Sequence, residues 1–278
     1  MISAMQLKAL IRNLSREKSI QPEIILRNYM LERFLERISL SEYRHQLILK
    51  GGLLIANMIG IESRSTMDLD ATVKGIMLTE EELTKMLNNI LDVPVDDGVQ
   101  MILMGFENIR NEADYPGIRV SIESILEKTR QALKVDITTG DAITPKEIEY
   151  NYKLLVENRN IAVMAYNLET VLAEKLETIL KLSIASTRMR DYYDVHAIMV
   201  LKKELLNKNV FASAFKQTAI KRGSYDLLID KGPENLEAIK SSTELPTLWK
   251  RYQAKYDYAS NTDWEDVLTN IEQLYQGT

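Results

Sequence analysis

Apolar residues return every three or four positions through Leu7, Leu10, Ile11 and Leu14, and again through Ile24, Ile25, Tyr29, Phe34 and Leu35. That period predicts helices over residues 1–44, with Pro22 at the first turn of the second, where a missing N–H is tolerated. The polar faces of these helices, with Arg33, Arg37, Arg44 and His45, are expected to meet solvent rather than a substrate. A short apolar run at 47–49 then reads as a strand, followed by a double glycine, a helical turn and a second strand around 68–73. Thr79 followed by Glu80, Glu81 and Glu82 is a helix start of the capping-box kind, continued by a stripe of Leu83, Met86, Leu87 and Ile90. A turn at 93–98 precedes strand-like runs at 99–109, 117–123 and 133–138, separated by breaker-rich residues 111–117 and a charged turn at 127–130.

Residues 161–165 form one more predicted strand, and Asn167 is a helix cap. Everything after it reads as helix, including 205–220, 236–239, 248–258 and 262–275, the last opened by Thr262 and Glu265 as a second capping box. Trp249, Tyr252, Tyr256, Trp264 and Tyr275 fall at helical spacing and are expected in a core or an interface. The pattern predicts an α+β fold: a mixed β-sheet with flanking helices in residues 1–165, followed by a C-terminal helical bundle in 166–278.

The predicted strand at 68–73 carries the first sign of chemistry. Side chains two apart on a strand share a face, so Asp68 and Asp70 point one way while Leu69 enters the core. Two carboxylates side by side repel unless a cation lies between them, and Mg²⁺ takes hard oxygen ligands and commonly uses one or two carboxylates plus substrate phosphates. Gly51 and Gly52 let backbone approach a ligand closely at a helix start, with Lys50 before them and Arg64, Ser65 and Thr66 before the acids. In the run 133–138, Val135 and Ile137 face the core and leave Lys134, Asp136 and Thr138 on the other side, so Asp136 is either part of an ordinary polar face or a third carboxylate for the same site.

Two helical positions extend this list. Lys175 lies beside the stripe Leu168, Leu172, Leu176 and Ile179, and either lays its stem along it with the head in water or reaches nucleotide phosphates as a point charge. Asp191 and Asp194 share a face with Val195 and Ile198, although an acid in a first helical turn is also favoured by the helix dipole.

Composition narrows the chemistry further. The chain of 278 residues has no cysteine and two histidines, which excludes disulfides, thiolate nucleophiles and thiolate metal sites and leaves metal chemistry to carboxylates. A net charge of −5 gives no general attraction to nucleic acid, so a polynucleotide partner needs a local basic patch. No apolar run reaches bilayer-spanning length and residues 1–18 lack the order of a secretory signal; a cytoplasmic protein without membrane partners is expected.

The motifs LKGGLLIANMIGIESRSTMDLDATV at 49–73, LKVDITTGD at 133–141 and LETVLAEKLETIL with RMRDYYDVHAI between 168 and 198 resemble those of the AbiEii-type nucleotidyltransferase toxins, relatives of the polymerase-beta-type superfamily. The resemblance implies that Gly51 and Gly52 hold nucleotide phosphates, assisted by Lys50, Arg64 and Ser65, and that Asp68 and Asp70 bind Mg²⁺, with Asp136 as the third acid. It further implies that Lys175 contacts the triphosphate and that either Asp191 or Asp194 fills the last acidic motif. Thr66 matches a small hydroxyl residue that contacts phosphate or is itself modified.

As partners the resemblance implies an NTP, with GTP among the candidates, an RNA acceptor such as the tRNA 3′ end, and an antitoxin or its operon, in a system of phage defence by abortive infection. Two rivals share the same core: nucleotide transfer to a protein hydroxyl, and a degenerate NTP-binding module.

Overall fold

A computed structural model describes residues 2–110 and 116–278, and within them the chain forms two compact units. The first comprises residues 1–140 and 148–165; the second comprises 141–147 and 166–278. Among the described residues no helix is long and apolar enough to cross a membrane.

The first unit is built on a mixed seven-stranded sheet in the order β3-β4-β5-β2-β1-β7-β6. In chain order the strands are β1 (Leu47–Lys50), β2 (Leu69–Val73), β3 (Val99–Arg110), β4 (Pro116–Leu126), β5 (Thr129–Thr139), β6 (Ile148–Lys153) and β7 (Asn160–Ala165). β2 runs parallel to β5 and β1 parallel to β7, while the β1/β2, β3/β4, β4/β5 and β6/β7 pairs are antiparallel. The central strands bury Ile48, Leu69, Ala71, Val135 and Ile137 completely, as alternation on β5 predicts. The expected turn at 111–117 falls on residues outside the described ones except for Pro116 and Gly117, which begin β4.

Helices α1 (Ala4–Lys18), α2 (Pro22–Leu40), α3 (Gly51–Ile59) and α4 (Glu80–Leu91) flank this sheet. Ser3 and Gln6 close a capping box on α1, Pro22 opens α2 as expected, and the Thr79 hydroxyl caps α4 by accepting from the Glu82 amide at 3.3 Å. The buried face of α2, with Ile25, Tyr29, Met30, Leu31, Phe34 and Leu35, packs towards β5 and β7. Its arginines do not face solvent. Arg33 and Arg37 are 1% and 3% exposed and are held by carboxylates: Arg33 by Glu36 and Glu157, Arg37 by Asp97. The expectation of a solvated face fails for these two, because Glu36 one turn on and Glu157 and Asp97 from distant segments neutralise them in place, while His45 is exposed and Arg44 partly so.

The second unit is helical: α5 (Leu168–Leu182), α6 (Met189–Lys202), α7 (Lys208–Lys221), α8 (Tyr225–Ser241), α9 (Leu245–Lys255) and α10 (Trp264–Tyr275). Asn167 caps α5, its side chain accepting from the Thr170 amide at 2.8 Å and donating to the carbonyls of Thr144 and Lys146. Thr262 is not a cap. Its carbonyl accepts from Trp249 Nε1 and Gln253 Nε2, and α10 starts a residue later with Asp263 at the cap position. Trp249 and Tyr252 are buried and pack with Tyr193 and Tyr258, so this aromatic group is a core, as its spacing predicts.

Candidate active site

β1 ends in Lys50 and turns at once into α3, and Gly51 takes φ +65°, a conformation L side chains rarely adopt. Space makes the same demand. A Cβ on Gly51 would lie 2.0 Å from Asp70 Oδ2, and one on Gly52 would lie 2.3 Å from an Arg64 guanidinium nitrogen and 2.7 Å from Thr66 Oγ1. The double glycine therefore lets the Asp70 carboxylate and the Arg64 guanidinium lie flat against the start of α3. The Gly52 amide donates to Asp70 Oδ2 at 3.2 Å. The helix N-terminus thus already directs one of its free N–H groups at an anion.

Asp68 sits in a bend one residue ahead of β2 rather than inside the strand, while Asp70 lies within it. The bend is braced from α2. Asn28 donates through Nδ2 to the carbonyl of Thr66 at 2.9 Å and to that of Ile24 at 2.8 Å, and both Arg64 and Thr66 are buried. Ser65 stands between them, half-buried.

The sheet register sets the electrostatics. Lys50 pairs with Asp70, Asp70 with Asp136, Asp136 with Arg119, and Arg119 with Glu107. Directly paired residues share a face, so five neighbouring strands carry one lateral row whose signs run +, −, −, +, − from β1 to β3. Charges alternate along it everywhere except at Asp70 and Asp136. Arg119 grips Asp136 with two hydrogen bonds of 2.7 and 2.8 Å, and Asp136 and Asp68 together raise its affinity for its proton. Asp70 has no such clamp. Burial first, and the neighbouring Asp136 charge in addition, hold its carboxyl above the usual range, while the Gly52 amide, Lys50 and Arg64 pull it back. A carboxylate penalised in this way is relieved by a cation.

Among the described residues no three Asp, Glu or His side chains come together as a preformed metal cage. The donor set nevertheless suits a hard divalent ion. Asp70 and Asp136 are in register, Asp68 is two residues away, all the donors are oxygen, and Mg²⁺ is commonly held by only one or two carboxylates plus substrate phosphates. Arg119 was not found by sequence reasoning: on β4 it reads as one polar position between Ile118 and Val120, and only the register places it opposite Asp136. Asn28 was missed too, since it bonds across 38 residues from within a buried helix.

In the second unit Lys175, Asp191 and Asp194 come together. Lys175 Nζ lies 2.5 Å from Asp191 Oδ1 and 3.0 Å from Asp194 Oδ2, and Arg188 Nε reaches Asp191 Oδ2 at 2.6 Å. Burial pushes the Asp191 carboxyl up, but the Lys175 and Arg188 charges hold it below its ordinary value. Lys175 neither extends its head into water nor stands as an isolated point charge. It pairs with both aspartates, and Asp191 is held by Arg188 as well.

Compared with known proteins, residues 33–270 match the family described as nucleotidyl transferase AbiEii toxin, type IV TA system. No curated protein matches the chain. Two crystal structures from Helicobacter pylori are similar in fold. A proposed nucleotidyltransferase has 15% identity and a TM-score of 0.49, covering 92% of this chain and 96% of its own. JHP933 has 16% identity and a TM-score of 0.49, covering 92% and 94%.

Proposed function

The chain belongs to the AbiEii nucleotidyltransferase toxin family of type IV toxin–antitoxin systems, and from that premise we propose that it moves an NMP from an NTP to a hydroxyl of RNA, the tRNA 3′ end being the leading acceptor, and so blocks translation. The observation that carries this reading is the charge row, with Asp70 and Asp136 adjacent between Lys50 and Arg119 at the mouth of Gly51–Gly52. The acceptor oxygen attacks the α-phosphorus, the bond from that phosphorus to the bridging oxygen breaks, and pyrophosphate leaves. Asp68, Asp70 and Asp136 would hold Mg²⁺, which when bound would supply charge neutralisation of the triphosphate and a more acidic acceptor hydroxyl.

The chain's own groups do the rest. The α3 amides and Lys50 receive phosphate oxygens, with Arg64 and Ser65 behind them and Thr66 fixing the bend. Asp136, held in one orientation by Arg119, takes the acceptor proton. In the second unit Asp191 and Asp194 fix the position of Lys175. The antitoxin of the pair acts on this toxin or represses its operon.

The test is incubation of each labelled NTP with total tRNA and Mg²⁺. We expect label in RNase-sensitive material for one preferred NTP and a loss of about a hundredfold to a thousandfold in Asp70→Asn, on the scale of a removed catalytic electrostatic group. Transfer by Asp70→Asn at the wild-type rate overturns the proposal. Protease-sensitive label instead identifies a protein hydroxyl as the acceptor.

A further inference from the structure

We propose that a second site, in the first unit, binds a small organic monocation of the ammonium or amidinium class, with Glu32 as its counter-charge. The site is a cavity of about 230 Å³ whose walls include Lys18, Asn28, Glu32, Asn57, Glu62 and Tyr152. Glu32 comes from the middle of α2 and is 2% exposed. Both of its carboxylate oxygens accept from one donor, the Leu155 amide, at 2.9 and 3.1 Å. Among the described residues no cation reaches it within ion-pair distance. In that respect it differs from Glu36, Asp97, Glu177, Asp191 and Asp194, which are equally buried and each lie against an arginine or lysine.

Counting charge around Glu32 shows what is missing. Arg33 and Arg159 lie near it, but Arg33 donates to Glu36 and Glu157, and Arg159 binds Glu36 through two nitrogens and Glu157 through its Nε. Glu36 and Glu157 therefore occupy both guanidiniums, and Glu32, when ionised, has no cation of its own. Of the other ionisable groups on the cavity wall none pairs with Glu32: Lys18 is paired with Glu62 at 3.2 Å, Lys153 is an exposed residue of β6, and the buried Tyr152 hydroxyl is held neutral, by burial first and in part by Glu32 itself. Without a cation, burial pushes the Glu32 carboxyl up to about 8.

The remaining wall chemistry selects an organic cation over a metal ion. Ala56, Ile61 and Leu154 line the cavity with hydrocarbon, which suits a short apolar stem. A Mg²⁺ ion would need several more oxygen donors, and the Asn57 Oδ1 is already taken by the Tyr150 hydroxyl and the Lys153 amide. Asn28 gives the site a link to the bend before Asp68, since this cavity-lining side chain also donates to the Thr66 carbonyl.

The probe is n-propylammonium, set against n-propanol and against sodium at matched ionic strength, with the full chain and no nucleotide. We expect propylammonium alone to raise the melting temperature and to move the Leu155 amide resonance. Because Glu32 is largely protonated at neutral pH, binding should also eject a proton, making the calorimetric heat depend on the ionisation enthalpy of the buffer. Glu32→Gln keeps an oxygen for the Leu155 amide and should bind roughly tenfold more weakly or worse, without proton release. Equal binding by Glu32→Gln, an equal response to propanol or sodium, or no response to propylammonium overturns the proposal. None of these readouts depends on nucleotidyl transfer.

Discussion

Gly51 is constrained by its backbone and by its neighbour at once. Its φ of +65° disfavours any side chain, and the space for a Cβ is filled by Asp70 Oδ2 at 2.0 Å. Gly75 isolates the first constraint, because it has φ +76° with nothing within 4 Å of its Cβ position. Gly75→Ala should lose only the left-handed penalty, about 1–2 kcal/mol, with transfer unchanged. Gly51→Ala should lose more stability than that and nearly all transfer, since Asp70 must move. Urea unfolding beside an NMP-incorporation assay checks both, and equal behaviour of the two variants would show that the contact with Asp70 is immaterial. Glu32 allows a second prediction from a single side chain. Its carboxyl is raised from an ordinary 4.5 to about 8, so the folded state binds the extra proton. The stability it contributes is complete below pH 4.5 and is lost as pH rises towards 8. Glu32→Gln should flatten the urea midpoint across that window and exceed the wild type at its upper end; a variant that keeps the wild-type slope would assign that slope to another group.

At the scale of elements, α2 is fixed to the turn after α4 by one bidentate pair. Arg37 donates to Asp97 at 2.7 and 3.0 Å and to the Val99 carbonyl at 2.7 Å, with both side chains 4% exposed. Arg37→Met leaves a buried carboxylate with no cation and should cost about 3–5 kcal/mol in urea unfolding, much of it recovered in the double variant Arg37→Met with Asp97→Asn. A single variant within about 1 kcal/mol of wild type would mean that water reaches Asp97. This pair also marks where sequence reading ends. Period-two alternation on β5 was enough to place Asp136 opposite the core face, and the caps at Thr79 and Asn167 were legible because their partners lie three residues away. Arg37–Asp97 spans 60 residues, Arg119 meets Asp136 only through register, and β6 went unread because only Tyr152 along it is buried. Thr262 and Glu265 had the right spacing for a cap, but the Thr262 carbonyl is fixed by donors from α9.

For the molecule as a whole, charge limits how the proposed RNA acceptor could be held. There are 35 basic and 40 acidic residues, and many of the basic ones are already engaged: Arg33, Arg37, Arg119, Arg159, Lys175, Arg188 and Arg222 all lie in ion pairs. A chain of net charge −5 has a field that does not concentrate RNA at long range, and phosphate contacts would fall largely to lysines outside these pairs. If about four phosphates are neutralised, the affinity for single-stranded RNA ends should fall with log salt at a slope near −3, which is about fiftyfold between about 50 and about 200 mM. The KM for tRNA in the transfer assay, measured over that range, checks this, while the KM for the NTP reports separately on salt effects at the nucleotide. A slope of about −6 or steeper requires an extended basic surface, and would place the acceptor on a patch of lysines outside the ion pairs described above. A shallow slope means that recognition rests on shape and hydrogen bonding at the acceptor end, so that tRNA variants altered there should lose transfer while variants altered in the helical stem keep it.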